Sequence, residues 1–432
     1  MKSLIFAGAL MFLLAALSSS AEEPKKEFPL APAKLFVPRD GLGNVFEKLK
    51  AGKEVRIAYF GGSITAANGW RPKTLKWFQE TWPNAKVSEI NAAIGGTGSD
   101  LGVYRFRHDV LDQKPDLIFV EFAVNDGGAS PENIWRAMEG IVRQAWTADP
   151  TIDICYVYTL AVGMVKDYEK GLCSRSASAD EKLAEYYGIP SINMALRTVQ
   201  LAGEGKLIYT AKAGPDGKPL PSPEGVYVFT NDSCHPTEPG HQMYCEVITD
   251  ALKQIEPASK PGPHTLKPPM VADNWEAAKL VPLDASMLSA GWAKLPETDN
   301  IWKSFHSRLP EIWKADKPGE KVTFKFKGTT AKLYDIVGPD GAQVFVTVDD
   351  KRAPKPLPRF DSYCAYHRLQ SATLCQDLDD AVHTVSIEID SQQPDRSIVV
   401  KAGREKPGFD PKKYDGTVLR VGYIMLIGDI VE

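Results

Sequence analysis

Long hydrophobic runs are nearly absent from this 432-residue chain. The one exception, Leu4–Leu17, follows Lys2 and precedes Ser18-Ser19-Ser20-Ala21. That run is too short for a comfortable membrane span, and the small side chains at Ser19 and Ala21 suit a signal peptidase. Residues 1–21 are therefore expected to be a signal peptide, and the mature chain to be secreted or periplasmic with no membrane partner. No cysteine lies near the cleavage point, so the attachment site of a bacterial lipoprotein is lacking. An excess of one charge is missing too: 51 Lys and Arg face 55 Asp and Glu, for a net charge of -4. Without a basic stripe or tract, nucleic acid and anionic lipid are poor partners. Histidine is scarce, with seven in the chain, which narrows the search for a general base. The six cysteines are even in number and, in an exported chain, permit disulfides. Proximity favours Cys155–Cys173, Cys234–Cys245 and Cys364–Cys375, with the connectivity open. No internal repeat is evident.

The length suggests about two domains. After an N-terminal arm at 22–50, apolar runs at Val55–Phe60, Val87–Ala93, Leu117–Val124, Ile152–Tyr158 and Ile189–Met194 alternate with stretches of helical spacing. Those stretches include Arg71–Trp82, Pro131–Ala148 and Ala177–Tyr187. Continuous apolar strands separated by helices predict a parallel sheet covered on both faces, a three-layer α/β domain over 51–257. Prolines crowd the segment from Pro257 to Pro269, and 258–285 reads as a linker. From 286 to 432 the pattern alternates, as in Val322-Thr-Phe-Lys-Phe-Lys and His383-Thr-Val-Ser-Ile-Glu-Ile. That predicts an antiparallel, jelly-roll-like all-β sandwich.

The first strand ends in Gly61-Gly62-Ser63, the second in Ile94-Gly95-Gly96, and the third in Val124-Asn125-Asp126. The ligand crevice of an open parallel sheet lies at the carboxyl ends of its strands, so these three ends would face one cavity. Ester hydrolysis needs donors aimed at the developing oxyanion. The Ser63 and Gly96 amides and the Asn125 side chain can supply them. A serine hydroxyl also needs a base. His235 follows a β-like run and precedes an amphipathic helix, and Asp232, three residues earlier, can orient its ring. His241 is the runner-up base, although its place inside the helix suggests packing. A zinc site from Asp232, His235 and His241 matches none of the common ligand spacings. No metal and no cofactor are expected.

The ordered set Gly61-Gly62-Ser63, Gly96, Asn125-Asp126 and Asp232-Ser-Cys-His235 resembles the four blocks of the SGNH (GDSL-type) hydrolase family, across about Val55 to Ile255. The resemblance implies a flavodoxin-like sheet, Ser63 as nucleophile, His235 as base and Asp232 as its orienter. It also implies Ser63, Gly96 and Asn125 as oxyanion donors. Gly62 stands where the GDSL name places Asp. The Gly-x-Ser-x-Gly elbow of α/β-hydrolases is absent around Ser63.

The stretches Asn91–Asp100 and Phe119–Asp126 are similar to those of SGNH members that deacetylate plant or algal polysaccharides. The expected activity is hydrolysis of O-acetyl or other short acyl esters on a polysaccharide or its oligosaccharides. Trp70 is a candidate sugar-stacking platform or, equally, a core residue. A short-chain lipid, aryl ester or thioester substrate is the alternative within the class, and a noncatalytic carbohydrate-binding protein is the alternative outside it. The C-terminal domain fits three roles: binding glycan, supporting the crevice or stabilising the chain. The sequence leaves the oligomeric state open.

Overall fold

Apolar runs of six to eight residues, too short for buried helices, find a stable place as strands covered on both faces. In the computed structural model, which describes residues 28–212, 220–404 and 408–432, they do so. The expected signal peptide lies outside those residues. The first sheet comprises β1 (Phe36–Val37), β2 (Glu54–Gly61), β3 (Lys86–Asn91), β4 (Leu117–Glu121), β5 (Asp153–Tyr158) and β6 (Ser191–Asn193). Their spatial order is β1-β6-β5-β4-β2-β3. Every neighbouring pair from β2 to β6 is parallel, and β1 adds an antiparallel edge. Every residue of β4 and β5 is buried, including the charged Glu121 at the end of β4 and Asp153 at the start of β5.

The helices of this domain are α1 (Gly43–Lys50), α2 (Ser63–Ala66), α3 (Trp70–Thr81), α4 (Ser99–Asp109), α5 (Pro131–Ala148), α6 (Val165–Glu169), α7 (Arg175–Tyr187), α8 (Met194–Gly203) and α9 (Glu238–Ile255). α4, α5 and α7 pack side by side in one row, and α3, α9 and α8 in another, giving three layers. Local chemistry sets their limits. Ser130 accepts a hydrogen bond from Asn133 N and Pro131 opens α5, and Gly188, at φ +75°, closes α7 in the left-handed conformation. From β2 the chain crosses to β3 on one side and then returns to β4 on the other. The strand order therefore reverses at β2 and β4, and the crevice opens at the ends of those two strands.

A two-stranded ladder, β7 (Leu207–Ile208) with β8 (Tyr227–Val228), precedes α9. The C-terminal part is an antiparallel sheet of ten strands: β9 (Ala278–Pro282), β10 (Ala293–Lys294), β11 (Trp313–Ala315), β12 (Lys321–Val337), β13 (Gln343–Val348), β14 (Lys351–Arg352), β15 (Leu357–Pro358), β16 (Arg368–Cys375), β17 (Ala381–Ile389) and β18 (Leu419–Val431). It also carries two short helices, α10 (Asn300–Phe305) and α11 (Ser397–Arg404). β9 lies within the segment read as a linker and pairs with β18. β12 changes partners midway, from β17 to β16, while β18 accompanies it from Lys325 to Asp335. Gly328 and Gly428 face each other at that bend, where an added Cβ on either would strike the opposite backbone at under 2.5 Å. The first half of β12 alternates between buried and exposed, and the second half is buried on both faces. Its Leu333 joins the sheet's own core, and Tyr334 and Ile336 join the core of the α/β domain.

The disulfide expectation is corrected. All six cysteines are free thiols. Cys155 is embedded in the central sheet, and the Cys173 sulfur accepts a long hydrogen bond from Asn193 Nδ2 at 3.5 Å.

Candidate active site

Ser63 is the first residue of α2, at the end of β2, and follows two glycines where a side chain would strike Glu121 O and Asn125 Oδ1. Its Oγ lies 2.7 Å from His235 Nε2, and His235 Nδ1 lies 2.6 Å from Asp232 Oδ2. Three side chains from the two ends of the domain thus form one continuous hydrogen-bonded row. The loop carrying Asp232 and His235 is tightly wound. Asp232 Oδ1 accepts from His235 N at 2.8 Å, Cys234 N at 3.0 Å and the Thr230 hydroxyl at 3.0 Å, and Ser233 between them takes φ +69°. Partial burial works against the charge on Asp232, and these hydrogen bonds outweigh it, holding its carboxyl well below the usual carboxylate range. A charged acceptor at Nδ1 fixes the imidazole with Nε2 turned toward the serine. The row is open to solvent, with the His235 and Asp232 side chains about half exposed.

The other two strand ends close on the same serine. A Cβ added to Gly95 would lie 3.5 Å from the Ser63 Cβ, and Gly96 adopts φ +72° at the tip of its loop. Ile94 N donates to Gly61 O at 3.0 Å, tying that loop to the end of β2. The Asn125 side chain lies against Gly62, with Oδ1 1.9 Å from where a Cβ would stand. Asp126 Oδ1 accepts from Ser99 N at 2.9 Å, which joins the Gly96 loop to the end of β4. Its fully buried carboxyl is pushed up to about 7 by desolvation.

The sequence reading did not single out Glu121, the last residue of β4. It is buried beneath the serine turn, where it accepts from Thr65 Oγ1 at 2.9 Å and Thr159 Oγ1 at 2.7 Å. Burial raises its carboxyl to about 7 against the opposing effect of those hydroxyls. One signal was available: a charged residue inside the otherwise apolar run Leu117–Val124 is a buried polar group needing partners.

Two expectations are resolved by packing. Trp70 is not a platform for sugar. Its ring is fully buried, edge-on to Tyr59 at 5.3 Å and to Phe119 at 6.1 Å. His241 is also held in the interior, where its Nδ1 accepts from Trp70 N at 3.3 Å and its ring fills the space beside Gly69. Burial lowers it to about 4, so it is a neutral acceptor opening α3 rather than the base at Ser63. Among the described residues, no group of three or more His, Cys, Asp or Glu side chains converges as metal ligands would.

The chain is similar to several known proteins. The model of the GDSL-like lipase/acylhydrolase family matches residues 59–243, a span that contains Ser63, Gly96, Asn125, Asp232 and His235. An uncharacterized lipoprotein of Bacillus subtilis (strain 168), YqeF, is 34% identical over 82 residues, which is 18% of this chain. The chain spans about a third of that relative's length, 34%. Among solved structures, a two-domain esterase active on acetylated mannans, co-crystallized with mannopentaose, superposes with a TM-score of 0.67 at 20% identity. The superposition covers 90% of this chain and 94% of that one, so both domains share its fold. Residues 59–243, most of the α/β domain, match the GDSL-like lipase/acylhydrolase family, and the class of the chain is carboxylic ester hydrolase.

Proposed function

We propose that the protein is a serine esterase that removes acetyl groups from a carbohydrate polymer or its oligosaccharides. The observation that carries the proposal is the unbroken Ser63–His235–Asp232 row. In this reading Ser63 Oγ attacks the ester carbonyl carbon while His235 Nε2 takes its proton, and Asp232 holds the ring and stabilises the imidazolium. The negative charge on the carbonyl oxygen is met by the Ser63 and Gly96 amides and the Asn125 side-chain amide. Collapse of the tetrahedral intermediate breaks the bond to the sugar oxygen, which receives the proton from His235. The acetyl group stays on Ser63 until water, deprotonated by the same imidazole, releases it as acetate and restores the serine.

The substrate class is supported by the two-domain esterase active on acetylated mannans, whose fold is shared across 90% of this chain. The half-exposed row suits an ester projecting from a long polymer better than a buried acyl chain. The apolar run after Lys2 supports export, with action outside the cytoplasm.

Acetate release from acetylated mannan, xylan, xyloglucan and pectin tests the reading. Release from at least one polymer by the wild-type protein, with none from Ser63→Ala, is expected. Full activity of Ser63→Ala would end the assignment. A rate that climbs with acyl length across a series of aryl esters would move the substrate to lipid, since each buried methylene contributes about 0.8 kcal/mol.

A further inference from the structure

The loop between β3 and α4 carries Gly95 and Gly96, and its tip has little to lean on. No atom lies within 4 Å of where a Gly96 side chain would begin. Within the loop, Ile94 N donates to Gly61 O at 3.0 Å and Thr97 Oγ1 to Ile94 O at 2.8 Å, so Gly96 moves with the loop, whose placement depends on how its two ends are held. The C-terminal β-domain reaches both. Arg308, in the segment between α10 and β11, donates to the carbonyl of Asn91 where the loop begins, and its guanidinium also lies 3.6 Å from Asp109 of α4. Where the loop ends, Lys332 of β12 lies 3.6 Å from the carboxylate of Asp100. Asp100 follows Ser99, whose amide is bonded to Asp126 beside Asn125.

Lys332 is an expensive way to dock two domains. Its side chain is 3% exposed, and its ammonium lies 5.3 Å from the Tyr104 ring centre and 4.7 Å from that of Trp275. An apolar side chain between those rings would avoid desolvating a charge and would give equal or better stability. What the ammonium adds is a fixed electrostatic partner for Asp100.

We infer that the β-domain is a positioning element for the oxyanion loop, acting through Lys332 at one end and Arg308 at the other. The inference rests on the serine-esterase reading. It gives the domain a part in catalysis on any ester, including one too small to touch it. Displacing a donor by about an ångström is enough to lose on the order of a hundredfold in rate.

The test uses the full-length protein and 4-nitrophenyl acetate, at a temperature well below the unfolding midpoint of each variant. Lys332→Met should lower kcat about tenfold or more with KM within about twofold, and Lys332→Arg should restore most of it. The pH at which activity falls on the acid side should stay at the wild-type value in Lys332→Met, because Asp232 and His235 are untouched. Asp100→Asn breaks the same pair from its half-exposed side and should lower kcat alike, which keeps the test available if Lys332→Met does not fold. Wild-type kcat in folded Lys332→Met or Asp100→Asn, or a loss confined to KM, overturns the inference. Ser63→Ala measured in parallel separates the two ideas. If it stays active the esterase reading fails; if it is dead while Lys332→Met is unimpaired, only the positioning role does.

Discussion

The side chain of Asn125 occupies the space that a side chain at residue 62 would need: its Oδ1 lies 1.9 Å from the Cβ position of Gly62. Gly62 itself is in an extended conformation, φ -91° and ψ -155°, that any residue adopts. The requirement for glycine is thus one of space, and it accounts for the missing aspartate of the GDSL pattern. Gly62→Asp, which restores the family's residue, should displace Asn125 and reduce kcat for a small aryl acetate by about tenfold or more. Unchanged kcat would mean that the Asn125 side chain has no part in turnover.

Glu121 gives the fold a pH dependence. Its carboxyl is raised from 4.5 to about 7 in the folded protein. A raised value means that its contribution is fully present below about pH 4.5 and is lost as the pH rises through about 7. Glu121→Gln has no proton to lose. Thermal unfolding from pH 5 to pH 8.5 should show the wild type losing on the order of 2 kcal/mol relative to this variant. Parallel profiles for the two proteins would contradict the assignment.

Trp70 should matter for stability and not for substrate. Its ring is fully buried against Tyr59 and Phe119, so Trp70→Ala should cost about 3–5 kcal/mol in denaturant unfolding. The protein that remains folded should keep its KM for polysaccharide. A raised KM without loss of stability would return Trp70 to the substrate.

Much of the first domain is legible in the sequence because its signals are local. Leu117–Glu121 of the run Leu117–Val124 becomes β4, and the helical spacing of Pro131–Ala148 becomes α5 with the same ends. Asp232 and His235 stand three residues apart, so one loop suffices to join them. What remained hidden depends on partners far apart in the chain. Lys332 appears in the sequence as one more polar residue in a strand, and only the docking of β12 on α4 buries it beside Asp100. Trp70, next to the serine turn in sequence, fits a platform and a core residue equally, and only the fold shows that α3 turns its ring inward. β9 was obscured because Ala278–Pro282 follows a proline-crowded stretch and is ordered as a strand by pairing with β18.

The base and its orienter should differ in weight. His235→Ala removes the group that carries the proton, whereas Asp232→Ala leaves an imidazole within 2.7 Å of Ser63 but free to choose its tautomer. Kinetics on aryl acetate should show His235→Ala losing at least as much kcat as Asp232→Ala, each by about two or more orders of magnitude. Wild-type turnover by Asp232→Ala would remove it from the mechanism.

The most direct measurement is to trap the intermediate. Wild-type protein mixed with an aryl acetate, quenched in acid within the first turnover and digested, should yield the peptide containing Ser63 with one added acetyl group, and Ser63→Ala should yield none. An acetyl group on another residue, or none at all during rapid turnover, would contradict the assignment of Ser63 as the nucleophile.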